Sequence, residues 1–319
     1  MTIINFYFLL FFSIIISLSI NSTFLIWLSL ELNMLRFLPI ISSGINVELE
    51  NSMKYFLIQR WASIFFLLRF FFLMLQKTFY VMIVIRMLIK LGIAPFHTWF
   101  ISILKTSSLK ILVLLSSVQK LIPLIILINL KINTSLLMAV VLLNIIFILL
   151  ILPITINLNK LLALSSINNV IWIIIRVIIS LKLFVTFIVI YLFLIVGLMI
   201  LYNEYHINIF SQINRINFFD KICMVLIFMS LGGLPPLLGF LRKFLVIKFI
   251  LISSNRIYFI MIVVFSSLFL LYFYISRIYF YLTYIPSLKM NLKIRHVLIK
   301  KYLYMISLLI INSFLLVNL

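Results

Sequence analysis

Four charged side chains stand in the middle of apolar runs: Glu31, Lys90, Lys120 and Lys243. A lysine or acid at mid-membrane depth costs ~2.5–3.5 kcal/mol on insertion scales, so a charge retained there is a functional-site candidate. Burial favours the neutral amine and a neighbouring carboxylate favours the ammonium. A lysine that gains and loses such a partner therefore takes up and releases a proton. Glu48, Glu50, Glu204 and Asp220 fall in or beside polar connections, which by elimination makes Glu31 the partner carboxylate. His97 follows Lys90 by two helical turns and would share its face on a continuous helix, as a candidate relay or as a hydrogen-bonded structural residue. His206 and His296 have no metal-ligand spacing and receive no role.

Each lysine has prolines nearby: Pro95 after Lys90, Pro123 after Lys120, and Pro235 with Pro236 before Lys243. A proline cannot donate to the carbonyl four residues earlier, so Leu91, Gln119, Leu231 and Gly232 are expected to lose their intrahelical partners. Broken backbone at membrane depth is tolerated where protein or a hydrated cavity surrounds it. Gly232, Gly233 and Gly239 read as helix-break residues beside those prolines. The sequence has no glycine-rich phosphate loop, no dinucleotide fingerprint and no haem or iron ligand set. Its single cysteine, Cys223, excludes an internal disulfide and any cysteine-ligated cluster or zinc site, so no bound metal is expected.

Membrane helices must position these residues. Of 319 residues, 66% are hydrophobic and 10% charged, more apolar surface than a soluble fold can hide. The formal charge of +21 would suggest nucleic acid in a soluble chain, but here the basic residues are dispersed among apolar helices. The expected fold is all-α, a polytopic bundle in a single domain over 1–319. It has about 11 spans of the length a bilayer requires: 3–20, 22–42, 52–75, 79–104, 109–130, 134–153, 160–180, 183–203, 219–250, 257–284 and 302–318. The first run has no basic residue before it and no cleavage site after it, so it is expected to be a retained helix. Loops on the N-terminal side carry more Lys and Arg, including Lys289, Lys293, Arg295, Lys300 and Lys301. That bias places the N-terminus inside and the C-terminus outside.

Four strings, WLSLELNMLRFLP (Trp27–Pro39), KLGIAPFHTWF (Lys90–Phe100), VQKLIP (Val118–Pro123) and SLGGLPPLLGFLRKF (Ser230–Phe244), together resemble one family. It is chain 2 of NADH-ubiquinone oxidoreductase, an antiporter-like membrane-arm subunit of mitochondrial complex I, of the animal and invertebrate type. A weaker fifth string runs from Leu162 to Trp172. The resemblance implies an antiporter-like fold lacking the first three helices, with two broken helices, in the mitochondrial inner membrane, N-terminus to the matrix and C-terminus to the intermembrane side. It implies a proton path through Glu31, Lys90, Lys120 and Lys243. It also implies other membrane-arm subunits and lipids, cardiolipin among them, as partners. NADH, FMN, iron–sulfur clusters and ubiquinone would be used in other subunits, with no direct NADH binding and no cofactor in this chain. The chain departs from the family's pattern at Asn169, Ile171 and Arg242.

Arg36, Arg60, Arg69, Arg86 and Arg176 fall inside spans, several at places where the family usually has a small residue such as serine. Five real arginines there would cost ~12–18 kcal/mol before relief by pairing or snorkelling. Many invertebrate mitochondria read AGA and AGG as serine, so these positions are expected to be serine codons translated with another code. Abundant Ile beside 13 Met fits AUA read as Ile. Two other readings remain: a stand-alone cation/proton antiporter, and a membrane-arm scaffold whose lysines only pair with neighbouring acids.

Overall fold

The computed structural model describes residues 3–19, 23–43, 46–71, 76–129, 134–155, 157–177, 181–205, 218–235, 237–253 and 257–283. Within them the chain is all-α. The helices are α1 (Ile3–Ser19), α2 (Thr23–Ile41), α3 (Asn46–Phe71), α4 (Gln76–Leu91), α5 (Thr98–Thr106), α6 (Leu109–Ser116) and α7 (Val118–Asn129). There follow α8 (Thr134–Ile151), α9 (Leu158–Val177), α10 (Leu181–Tyr205), α11 (Phe218–Gly232), α12 (Leu238–Ser253) and α13 (Ile257–Thr283), with a short 3-10 turn after α8. They cover the first ten expected spans. The last span, 302–318, and the basic group from Lys289 lie outside the described residues, as do Pro236, His206 and His296. Among the described residues, six stretches are long and apolar enough to cross a membrane. The chain is a multi-pass membrane protein.

Three expected spans are each made of two helices. The span at 79–104 is α4 and α5, 109–130 is α6 and α7, and 219–250 is α11 and α12. Gly92, at φ +65°, ends α4 by donating from its N–H to the Ile89 carbonyl, while the Ile93 N–H reaches Leu88. Gly233, at φ +89°, ends α11 the same way: its N–H reaches Ser230 and the Leu234 N–H reaches Met229. Both are glycine-capped ends in which a left-handed residue turns the chain and fills the orphan carbonyls. Nearby sit the prolines that forbid continuation.

The third interruption falls earlier than its proline suggested. The bend is at Ser117 (φ −118°, ψ −76°), and Pro123 lies inside α7. Turning at Ser117 tightens the start of α7, where the Lys120 N–H bonds to the Ser117 carbonyl. Pro123 then falls one turn into α7, and the Gln119 carbonyl to which it cannot donate lies in that tightened first turn.

The helices pack into two compact units, Met1–Asn144 and Ile145–Leu319. In the first, α2 packs on α1 and α3, α3 on α4 and α5, and α7 on α4, α6 and α1. In the second, α10 packs on α9, α11 and α12, and α13 on α9, α11 and α12. α9 is buried almost all round, 94% of its apolar stretch, and is the second unit's central helix. Outward faces are apolar too: Met261, Phe265, Leu268 and Tyr272 form an exposed stripe along α13 at helical spacing. Lipid satisfies such a face without polar residues. Serine hydroxyls inside the helices donate to carbonyls three residues back, as Ser13 does to Leu10, Ser166 to Ala163 and Ser266 to Val263. Each hydroxyl is thereby satisfied without water.

Candidate functional site

The first unit holds Glu31, Lys90 and Lys120, all buried. Glu31 projects from the middle of α2, and its Oε2 lies 3.4 Å from Arg60 Nη1 on α3. Lys90, in the last turn of α4, and the fully buried Arg86 one turn before it also lie in the electrostatic field of Glu31. The acid that elimination selects thus lies in the surroundings of Lys90, but its ion-pair partner is Arg60. The Arg60 guanidinium stands 5.2 Å from the Phe56 ring, and its side chain is 44% exposed. Arg36 on α2 donates from Nη1 to the Leu9 carbonyl of α1. The side chains of Arg69 and Arg176 lie outside the described residues.

Lys120 is in the first turn of α7, with its ammonium 4.2 Å from the centre of the Phe100 ring of α5. That ring is held by the break before it. A Cβ added at Gly92 would meet Phe100 Cβ at 2.6 Å, so glycine lets Phe100 approach the backbone. Side chains also tie down the break: the Ala94 N–H donates to Asn144 Oδ1 of α8 at 2.8 Å, and Trp99 Nε1 of α5 donates to the Ile89 carbonyl at 3.1 Å.

His97 is buried at the start of α5, beyond the break. Its expected alignment with Lys90 assumed one continuous helix, and α4 ends at Leu91, so two-turn spacing does not describe their geometry. Asp220, placed by sequence in or beside a loop, is a buried residue in the first turn of α11 and accepts a hydrogen bond from the Tyr205 hydroxyl at the end of α10.

Lys243 belongs to the second unit. Its Nζ, on α12, donates to the Gly232 carbonyl at 2.5 Å, and Arg242 Nη2 donates to the Leu231 carbonyl at 2.9 Å. These are the two carbonyls that the proline pair was expected to release. Arg242 also donates from Nε to Gly239, and its guanidinium lies 4.9 Å from the Phe187 ring. Gly239 permits this closeness: a Cβ there would fall 1.4 Å from the Ser230 carbonyl oxygen.

In the sequence Arg242 stands out only as a departure from the family's pattern, with no part of its own. Asn33, Tyr55 and Gln119 do not stand out at all, yet they form one buried network. Asn33 Nδ2 and the Tyr55 hydroxyl both donate to Gln119 Oε1 at 3.1 Å, and Gln119 Nε2 donates back to Asn33 Oδ1 at 3.4 Å. The available signal was adjacency: Asn33 stands two residues from Glu31, and Gln119 precedes Lys120. Among the described residues, no three His, Cys, Asp or Glu side chains are grouped to hold a metal.

A buried carboxylate among cations, and lysines at helix interruptions, are chemically suited to proton or ion movement. The family described as NADH:quinone oxidoreductase/Mrp antiporter, TM, matches residues 21–270. The NADH-ubiquinone oxidoreductase chain 2 of Anopheles gambiae is 33% identical over 285 residues, 85% of this chain and 83% of the relative. The chain belongs to the NADH-ubiquinone oxidoreductase chain 2 family. Its fold is similar to that of a chain in respiratory complex I from Thermus thermophilus, with a TM-score of 0.78 and 18% identity, covering 94% of this chain and 75% of that one. A chain of the Mrp complex from a Dietzia species has a similar fold, with a TM-score of 0.75 and 14% identity, covering 86% of this chain and 59% of that one. This family fold is all-α and antiporter-like, with the broken helices described above.

Proposed function

We propose that this chain is a core membrane-arm subunit of respiratory complex I in the mitochondrial inner membrane. The whole of 1–319 acts as one antiporter-like domain that translocates protons. The observation that carries the reading is the placement of Lys90, Lys120 and Lys243 in buried sites at helix interruptions, in a member of this family. Glu31 supplies the carboxylate beside Lys90, and His97 is a candidate relay at the first break. Carrying one proton across the whole membrane against the potential costs ~2.3 kcal/mol per 100 mV. Quinone reduction in other subunits must supply that energy, because a chain with one cysteine houses no cysteine-ligated cluster. Neighbouring membrane-arm subunits and lipids cover its apolar faces, and the basic loop bias puts the N-terminus on the matrix side.

Native electrophoresis of inner membranes with mass spectrometry tests the assignment. Peptides of this chain are expected to co-migrate with NADH-dehydrogenase activity at large size. Migration as a small independent species would favour the antiporter reading, which the likeness to the Mrp complex chain makes the specific rival. Within the assembled complex, Lys90→Met and Lys120→Met are expected to abolish coupled pumping. A scaffold would keep pumping in both.

A further inference from the structure

Asn33, Tyr55 and Gln119 come from three helices, α2, α3 and α7, and line one small cavity together with Gln59, Lys90 and Trp99. The cavity has room for about one water molecule. Gln119 Oε1 accepts from both Asn33 Nδ2 and the Tyr55 hydroxyl, which occupies both of its lone pairs. In this orientation of the two paired amides, Gln119 presents its oxygen to Tyr55. Tyr55 spends its single proton on Gln119, so its oxygen can only accept from the cavity. Lys90, an obligate donor when charged, lines the same cavity, which has room for one water between donor and acceptor.

We propose that Asn33, Tyr55 and Gln119 are positioning residues that hold the Tyr55 oxygen as an acceptor for the charged form of Lys90 through one water in the shared cavity; this rests on the proton-path reading above. Asn33 orients Gln119 and Gln119 orients Tyr55. Asn33 and Gln119 lie close to Glu31 and Lys120 in sequence, so any motion of α2 against α7 that disturbs either charge also breaks this acceptor. The network thus ties the protonation of Lys90 to the register of the two helices that carry its neighbours.

Tyr55→Phe removes the hydroxyl while keeping the ring that packs against Phe37 at 5.3 Å and Trp99 at 6.2 Å. Gln119→Met keeps the length of the side chain and removes the amide. Both are made in the full chain within the assembled complex, beside Lys90→Met, and protons pumped are measured against NADH oxidised. Expected are normal assembly, preserved NADH oxidation, and proton transfer slowed about tenfold in both variants, the effect of losing one hydrogen bond to a charged group. Normal pumping in Tyr55→Phe and Gln119→Met, with pumping lost in Lys90→Met, would overturn the positioning role and leave the proton path standing. Normal pumping in Lys90→Met would overturn the proton-path reading itself. Failure of both network variants to assemble would make these residues packing groups and also overturn the proposal.

Discussion

Arg242 and Lys243 show how a buried cation can be held without a carboxylate. Their donors go to the Leu231 and Gly232 carbonyls that end α11. Arg242→Met would leave the first of these without its donor, a loss worth ~1–3 kcal/mol. The expected result is a lower thermal transition of the assembled protein, with Arg242→Lys in between; an unchanged transition would mean that water takes over the carbonyl. Arg86 poses the opposite problem. It is fully buried within the electrostatic field of one acid, Glu31, whose ion-pair partner is already Arg60. If codon 86 is read as serine, the site keeps Glu31 and Lys90 with one cation fewer, and the hydroxyl can bond to a carbonyl one turn back as the neighbouring serines do. Mass spectrometry of the purified chain is expected to find serine mass and no tryptic cleavage at 86. Cleavage there would sink the codon reading.

At the scale of elements, the breaks depend on glycines whose substitution has unequal consequences. Gly92→Ala must place a Cβ at φ +65° and 2.6 Å from Phe100 Cβ, displacing the ring under Lys120. Left-handed strain alone costs ~1–3 kcal/mol. Gly239→Ala is more severe, because its Cβ would overlap the Ser230 carbonyl and force α12 from α11. Gly232→Ala is the milder case: its Cβ would come 3.1 Å from Leu271 Cγ, which must give by a few tenths of an ångström, and it needs no positive φ. Levels of assembled protein on native gels are expected to rank Gly232→Ala above Gly92→Ala above Gly239→Ala. Equal levels for all three would show that the breaks tolerate a Cβ by moving as wholes.

At the scale of the whole molecule, the outer apolar faces identify the solvent. Phe265, exposed on α13 between Met261 and Leu268, would sit in water only at great cost. Phe265→Lys is expected to lower the fraction of chain that resists alkaline extraction from membranes, by ~2.5–3.5 kcal/mol of insertion energy at mid-depth. Full retention would place this face against protein or water.

The multi-pass, all-α character was legible in composition alone, because a bilayer demands runs of apolar residues whose length and count survive any error in their boundaries. The burial of Lys90, Lys120 and Lys243 was also legible: each is a charge in an apolar run beside a proline, and proline chemistry is local. The strings around them carried the family. Partners were decided only in three dimensions. The bend fell at Ser117 rather than at Pro123, Arg60 rather than Lys90 stands as the ion-pair partner of Glu31, and the break at Gly92 removed His97 from the helical face of Lys90. The physical reason is range. Sequence spacing specifies neighbours while a helix runs unbroken, whereas a left-handed glycine redirects everything after it, and contacts such as Asn33 to Gln119 join residues 86 positions apart that no local rule connects.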